Sequence, residues 1–107
     1  MKAETLKGHL DMLLLAAVQA DAAHGYAIAE TLRVRSGGAF DLPEGTLYPA
    51  LHRLERGDLL ARRWSEVGGR RRRLYRLTSK GHRALAQQQG EWADFARAVQ
   101  AVLAGMA

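Results

Sequence analysis

The sequence of 107 residues has no cysteine, only two prolines and no long hydrophobic run. Without cysteine the chain has no disulfides, no thiolate nucleophile and no zinc site built on cysteine ligands, and it suits a reducing compartment. The longest apolar run, 12–18, is much shorter than the roughly 20 residues that a membrane-spanning helix needs. We therefore expect a cytoplasmic protein with no membrane partner.

Side chains that commonly carry catalysis are also scarce. The chain has three serines, and its four histidines, at positions 9, 24, 52 and 82, have no metal-ligand spacing. We expect neither an enzyme nor a metal or cofactor site. A chain of this length forms one small domain with a modest core, which a second subunit can complete.

The first 22 residues share some features with a secretion signal. Lys2 and Lys7 precede the apolar run, and Ala20-Asp21-Ala22 has the small-residue spacing of a cleavage site. Glu4 and Asp11, however, interrupt the basic leader, and the run has the phase of a buried helix. We favour a helix of the folded domain over a signal peptide.

Basic residues are concentrated in the middle of the chain. Residues 33–83 hold thirteen Lys or Arg against five Asp or Glu, a balance of +8, whereas the remainder holds three against six, a balance of −3. Such asymmetry indicates that one region meets a polyanion while the rest does something else. Nucleic acid is the leading candidate.

The strongest single feature is the run of four arginines, Arg70–Arg73, directly behind Gly68-Gly69. Two glycines accept the positive φ angles of a tight hairpin turn, and the flanking segments 59–66 and 71–77 have the length of its strands. At a protruding tip the arginines can neutralise phosphates with little sequence information. Because strand neighbours point to opposite faces, about half of them face the same groove. An isolated run of this kind is usually a solvated face, but its neighbours here favour a wing.

Two helices are predicted at the start of the chain. Apolar residues from Leu10 to Val18 recur at the i, i+3, i+4, i+7 spacing, with further apolar residues on the other side, which indicates a first helix that buries two faces. A second helix follows the break at His24-Gly25 and stops near Ser36-Gly37-Gly38. Residues 39–42 are a candidate short strand.

A third helix has one core face and one basic face. Pro43 suits its first turn and Gly57-Asp58 its exit. Pro49 cannot donate to the carbonyl four residues earlier, which leaves the start of the regular helix open. Its buried stripe comprises Leu47, Leu51 and Leu54. The opposite arc comprises Gly45, Thr46, Pro49, His52, Arg53 and Arg56, with Tyr48 on its flank.

Thr78-Ser79 offers hydroxyl caps for a long final helix. Its residues at alternating intervals of three and four form a heptad seam with one polar interruption. The seam comprises Leu85, Gln88, Trp92, Phe95, Val99, Val102 and Met106. About 26 helical residues extend roughly 39 Å, more than a small core covers, so we expect a homodimer along this seam. Packing of the stripe within one chain is the alternative.

This order of elements predicts a winged helix-turn-helix, a mainly α fold with a small β-hairpin (α+β). We place the DNA-binding domain at 1–78 and the dimerisation helix at 79–107. In such a fold the third helix enters the major groove and the hairpin reaches the neighbouring backbone or minor groove.

Five side chains of the third helix are candidates for DNA contact. Thr46 and Tyr48 carry hydroxyls that suit phosphate oxygens or base edges. His52, Arg53 and Arg56 lie further along the exposed arc, where an arginine can contact guanine or phosphate. For Arg56 we favour phosphate.

Four segments carry a resemblance to a known family. They are His24–Tyr26, Glu44–Glu55, Gly68–Arg72 and Tyr75–Gly81. In these segments the chain resembles the PadR family of bacterial transcriptional regulators, small winged-helix proteins that dimerise through a C-terminal helix and mostly act as repressors. It is similar to the short members, which have a single terminal helix.

The resemblance implies roles for individual residues. It implies that the segment with Thr46, Tyr48, Pro49 and His52 lies at the major groove, and that the wing contacts comprise Gly69, Arg70 and Arg71, to which we add Arg72. Some short members sense planar, aromatic or cationic compounds in a pore between subunits lined by a tryptophan. The corresponding ligand candidates are Trp92, Phe95, Gln88 and Leu14, and packing of Trp92 in the dimer core is the alternative.

Together these features predict a homodimeric, sequence-specific DNA-binding transcriptional regulator that grips pseudo-palindromic double-stranded DNA. We expect a repressor that a small molecule or another signal releases. A winged helix that binds protein or RNA without operator specificity is the alternative. A protein-binding version is expected to expose apolar groups on the third helix, whereas this arc is polar and basic.

Overall fold

The computed structural model of the protein describes residue 6 and residues 8–20 and 24–105. Within these residues, four helices and two strands have defined bounds. They are α1 (Leu10–Ala20), α2 (Gly25–Arg35), α3 (Glu44–Arg56), β1 (Leu60–Val67), β2 (Arg70–Leu77) and α4 (Ser79–Gly105). This confirms the predicted class, a mainly α fold with one small antiparallel hairpin. Residues 1–5, 7, 21 and 22 of the candidate secretion leader lie outside the described part, within which no helix is long and apolar enough to cross a membrane.

The prediction of a strand at 39–42 is wrong. The segment forms a bend and irregular backbone after α2. Two backbone N–H groups of this segment bond to the residue that ends α2. The Phe40 N–H donates to Ser36 Oγ at 2.9 Å, and the Ala39 N–H donates to the Ser36 carbonyl at 3.3 Å. Phe40 and Leu42 instead pack against the core with their side chains.

The core lies where α1, α2, α3, the base of the hairpin and the start of α4 meet. α1 buries two faces, as predicted, because Leu14, Leu15, Ala17 and Val18 are buried while Leu10, Met12, Leu13 and Ala16 pack partly against the same cluster. The remaining buried members are Ile28, Leu32, Leu47, Ala50, Leu51, Leu54, Leu60, Tyr75, Leu77 and Leu85.

The start of α3, which the sequence leaves open, lies at Glu44. Pro43 is the residue before the helix and has extended backbone (φ −71°, ψ 156°), so it does not occupy the first turn. Its carbonyl accepts from the N–H groups of Thr46 at 2.9 Å and Leu47 at 3.0 Å. Pro49 therefore lies inside the helix, which ends at the predicted exit, Gly57.

Gly68 and Gly69 join the two strands of the hairpin. Their φ angles of 60° and 78° lie in the left-handed region, which residues with a Cβ rarely adopt. The register pairs Leu60 with Leu77 at the base and Val67 with Arg70 at the tip. The base is buried in the core, whereas Arg70–Arg73 at the tip are exposed. The hairpin therefore projects as the sequence predicts.

The beginning of α4 is attached to the loop that leaves α3. Thr78 Oγ1 caps α4 by accepting from the Gly81 N–H at 2.9 Å, and it donates to the Asp58 carbonyl at 2.6 Å. Lys80 Nζ donates to the Gly57 carbonyl at 3.0 Å. The exit of α3 and the root of α4 are thus held together by side-chain hydrogen bonds.

Candidate nucleic-acid interface

α3 presents its polar face away from the core. Leu47, Ala50, Leu51 and Leu54 are buried on the inner face. On the outer face Thr46, Pro49, Arg53 and Arg56 are exposed, and His52 is half-buried. A hydroxyl, an imidazole and two guanidinium groups therefore share one helical surface, and such groups can form hydrogen bonds with base edges and phosphates.

Tyr48, on the flank of this face, packs over the first residue of α2. A Cβ built on Gly25 would lie 2.6 Å from Cε1 and 3.0 Å from the hydroxyl oxygen of Tyr48. Only glycine leaves room for the ring at this point. The Tyr48 ring therefore packs closely on the start of α2.

The hairpin arranges its arginines around a tryptophan. In the register Trp64 faces Arg73 and Glu66 faces Arg71, so these four side chains share one side of the hairpin. The Cζ atoms of Arg71 and Arg73 lie 4.6 and 5.3 Å from the centre of the Trp64 ring. Stacking on the indole orients the guanidinium groups and leaves their in-plane N–H donors free for phosphate.

A cleft of about 630 Å³ lies between the start of α2, the flank of α3 and the hairpin. Its lining includes His24, Tyr26, Tyr48, Trp64 and Arg71–Arg73. The sequence predicts DNA contact individually for Tyr48, Arg71 and Arg72, and for Arg73 only as a member of the arginine run. It gives no such prediction for His24, Tyr26 or Trp64. The placement of Trp64 opposite the arginines of the facing strand is the sequence signal that could have identified Trp64 and Arg73.

Several cations of the basic region are paired with acids. Arg53 forms an ion pair with Asp11 of α1. Arg62 Nε lies 2.8 Å from a carboxylate oxygen of Glu55. On α2, Arg33 pairs with Glu30 at 2.6 Å, and the side-chain hydrogen bond from Arg33 lowers the pKa of the Glu30 carboxyl. The wing arginines and Arg56 have no such acidic partner among the described residues.

Two adjoining cavities of about 470 and 370 Å³ lie between α1 and α4. Trp92 and Phe95 line both, and Gln88 lines the smaller one. The His9 ring meets the edge of Trp92 with centroids 5.2 Å apart. Leu14 is fully buried in the core and lines neither cavity, whereas its helix neighbours Met12 and Leu13 do. His9, Phe40 and Met12 are lining residues that the sequence analysis missed.

The outer half of α4 carries an exposed apolar stripe. Its described members are Trp92, Phe95, Val99, Val102 and Leu103, with exposed fractions from 37% to 65%. Leu85, which the heptad spacing assigns to the seam, is only 1% exposed and packs in the core of its own chain. Met106 lies outside the described residues. The stripe has no covering partner within the described part of this chain.

Comparison with known proteins places the chain among regulators. It matches the model of the transcriptional regulator PadR-like family over residues 14–87. It is similar to a transcriptional regulator of Mycobacterium tuberculosis, with 40% identity over 76 residues that cover 71% of this chain and 68% of the relative.

Solved structures show the same likeness. A PadR family transcriptional regulator from Eggerthella lenta has 33% identity and a TM-score of 0.81, over 94% of this chain and 86% of that one. A PadR family transcription regulator from Clostridium difficile has 33% identity and a TM-score of 0.79, over 90% and 99% of the two chains.

The family match runs from the middle of α1 to the first turns of α4, so it includes both the polar face of α3 and the arginine hairpin. The family and its structural neighbours are transcriptional regulators and not enzymes, which confirms the expectation of a non-catalytic protein. The chain is therefore a member of the PadR-like family of transcriptional regulators.

Proposed function

We propose that this regulator is a homodimeric repressor that binds pseudo-palindromic double-stranded DNA in the cytoplasm and is released by a signal. The observation that carries the proposal is the exposed polar face of α3 beside an arginine hairpin, since Tyr48 on the flank of that face lines the same cleft as Arg71–Arg73. A duplex that contacts one of these elements meets the other.

The two elements have different tasks in this proposal. Thr46, Tyr48, Pro49 and His52 of α3 lie in the major groove and set sequence preference. The wing, with Gly69 and Arg70–Arg72, contacts the phosphate backbone and contributes binding affinity that falls as the salt concentration rises. Arg56 also meets phosphate. Arg53, which is already paired with Asp11, takes a smaller part.

The dimer forms through the apolar stripe of α4. In this division residues 1–78 are the DNA-binding domain and residues 79–107 the dimerisation helix. Trp92, Phe95, Val99 and Val102 contact the second chain, and Met106 is assigned to the same seam. Leu85 instead anchors α4 to the core of its own domain. Two reading helices then address half-sites about one helical turn, roughly 34 to 36 Å, apart.

A small-molecule effector is assigned to the cavities between α1 and α4. Their walls are aromatic, with Trp92 and Phe95 in both, and Glu91 and Gln88 line one of them. Aromatic walls beside a carboxylate suit a planar aromatic or cationic compound. The competing role of Trp92 is packing in the dimer core.

Titration of the purified chain into labelled duplexes tests the proposal. A duplex from the region upstream of the gene is expected to shift at lower protein concentration than a random duplex of equal length at moderate salt. Equal binding of both would refute operator recognition. Stronger binding of a structured RNA of the same length would favour the RNA-binding alternative.

A further inference from the structure

We propose that the cleft between the start of α2 and the wing is an oxyanion site that holds one phosphate of the DNA backbone. His24 and Arg72 donate to this phosphate from opposite sides. The inference rests on the proposed function and specifies one of its contacts. It adds His24 and Arg73 to the residues that meet DNA, and Trp64 as a residue that positions two of the arginines.

The first observation concerns the two nitrogens of His24. Nδ1 lies 3.4 Å from the Ala27 nitrogen, whose N–H it accepts as the cap of α2. Nε2 lies 2.9 Å from a terminal guanidinium nitrogen of Arg72. A neutral imidazole has one acceptor nitrogen and one donor nitrogen, and a guanidinium has donors only. In the tautomer in which Nδ1 accepts this N–H, Nε2 carries the hydrogen and faces another donor.

Two facing donors call for an acceptor between them. A phosphate oxygen accepts from both at once, and such charge-assisted hydrogen bonds are about twice as strong as neutral ones. None of the described residues that line the cleft is acidic. Arg72 is exposed, and its long side chain can move outward to admit the oxygen.

The second observation concerns the walls of the cleft. The guanidinium groups of Arg71 and Arg73 stack on the Trp64 ring, with their Cζ atoms 4.6 and 5.3 Å from its centre. This stacking orients two more guanidinium groups at the mouth of the cleft. The Tyr48 hydroxyl is held nearby by its packing on Gly25. The cleft thus presents three cations and a hydroxyl, and two of the cations are held in place by the indole. Trp64 acts as a positioning residue, since it touches the arginines and not the phosphate.

A matched pair of variants separates the cap from the phosphate contact. His24→Asn keeps a side-chain acceptor at a position where asparagine is a preferred cap, but its amide is too short to reach the phosphate. His24→Gln restores a donor near the position of Nε2. We expect His24→Asn and Arg72→Gln each to weaken operator binding roughly ten-fold, as loss of a hydrogen bond to a charged group does. Their combination should cost little more than either change alone.

His24→Gln is expected to recover most of the affinity that His24→Asn loses. Thermal melting of each variant shows whether the fold is retained. If His24→Asn binds the operator as well as the parent does, or if the two losses simply add, the shared phosphate is refuted.

Chemical removal of single charges on the DNA locates the contact. One phosphate at a time is replaced by a neutral methylphosphonate in the operator. For the parent protein, replacement at several positions should weaken binding. For His24→Asn, replacement at one of these positions in each half-site should no longer weaken binding. If every position has the same effect on both proteins, His24 contacts no phosphate.

Titration with inorganic phosphate tests the cleft without DNA. Nitrogen NMR of the full chain is expected to show a hydrogen on His24 Nε2 and a saturable shift of this signal, which Arg72→Gln abolishes. If the protein binds no duplex but shows this shift, the proposed function fails and DNA is not the occupant, while the oxyanion site stands. If it binds its operator but phosphate produces no shift and His24→Asn has no effect, the site alone is refuted.

Discussion

Arg53 of α3 forms an ion pair with Asp11 of α1, across two helices whose contact positions lie 42 residues apart in the sequence. Both side chains are partly exposed, with exposed fractions of 53% and 38%, so the pair contributes less than about 1 kcal/mol to the free energy of unfolding. In the proposed function, its main effect is to hold the guanidinium of Arg53 back from the face of α3 that meets DNA.

Asp11→Asn is expected to tighten DNA binding, because it releases Arg53 to meet a phosphate. The plot of log affinity against log salt should steepen by up to about one unit. Fluorescence anisotropy at several salt concentrations measures this. Asp94→Asn, which removes an equal charge from the Asp94–Arg97 pair on α4, is the control. Equal effects of both changes would mean that only net charge matters.

Neutralising the wing is expected to weaken all duplexes alike. Arg70→Gln and Arg71→Gln together should flatten the salt slope by about two units, because each lost phosphate contact removes about 0.9 of slope. Thr46→Ala should instead change the ranking of operator variants at one or two positions. Competition binding with a set of single-base variants measures both. Loss of a single operator sequence on wing mutation would contradict the assignment.

Gly25→Ala is expected to destabilise the protein by roughly 1 to 3 kcal/mol, since the new Cβ would meet the Tyr48 ring at 2.6 Å. Displacing the ring should also weaken DNA binding. In a Tyr48→Ala background the same change should cost little or even stabilise, because alanine favours the helix over glycine by about 1 kcal/mol. Urea unfolding of the four proteins measures the coupling. Additive free energies would show that the contact carries no strain.

Val102→Asp is expected to dissociate the dimer, because it places a charge in the apolar stripe of α4. Ala101→Asp, on the opposite side of the same turn, adds an identical charge and should leave the dimer intact. Sedimentation equilibrium at micromolar concentration distinguishes the two. A monomeric parent protein, or equal effects of both variants, would refute dimerisation through this stripe.

A planar cationic dye is expected to quench the fluorescence of Trp92 when it occupies the cavities beside α1. Quenching should persist in Trp64→Phe, whose remaining indole is Trp92, and disappear in Trp92→Phe. The two tryptophans lie on different elements, one in the hairpin and one in α4, so the pair is a clean comparison. The opposite pattern would place the dye in the cleft between the start of α2 and the hairpin.

The order of helices and hairpin could be predicted because each depends on local pattern. Apolar spacing defines the inner faces of α1 and α3, and Gly68-Gly69 permits the tight turn. The error at 39–42 arose from competition, since Ser36 takes the N–H of Phe40 that a strand partner would need. Leu85 shows a second limit, because a heptad period cannot reveal whether an apolar residue is covered by its own chain or by another.

The wing cleft could not be predicted, because its parts are distant in the sequence. His24 and Arg72 lie 48 positions apart and meet only when the hairpin folds back toward α2. The pairing of Arg53 with Asp11 is hidden for the same reason. Helical phase assigns Arg53 correctly to the outer face, but phase carries no information about acids on a neighbouring helix.

The hydrogen bonds from Thr78 to the Asp58 carbonyl and from Lys80 to the Gly57 carbonyl connect the start of α4 to the end of α3. α4 extends about 40 Å from this connection, so it can act as a lever that pivots beside the end of α3. In the proposed dimer, a ligand that changes the angle between the two α4 helices would move both α3 helices together. The distance between the α3 helices would then be set at a site far from the DNA.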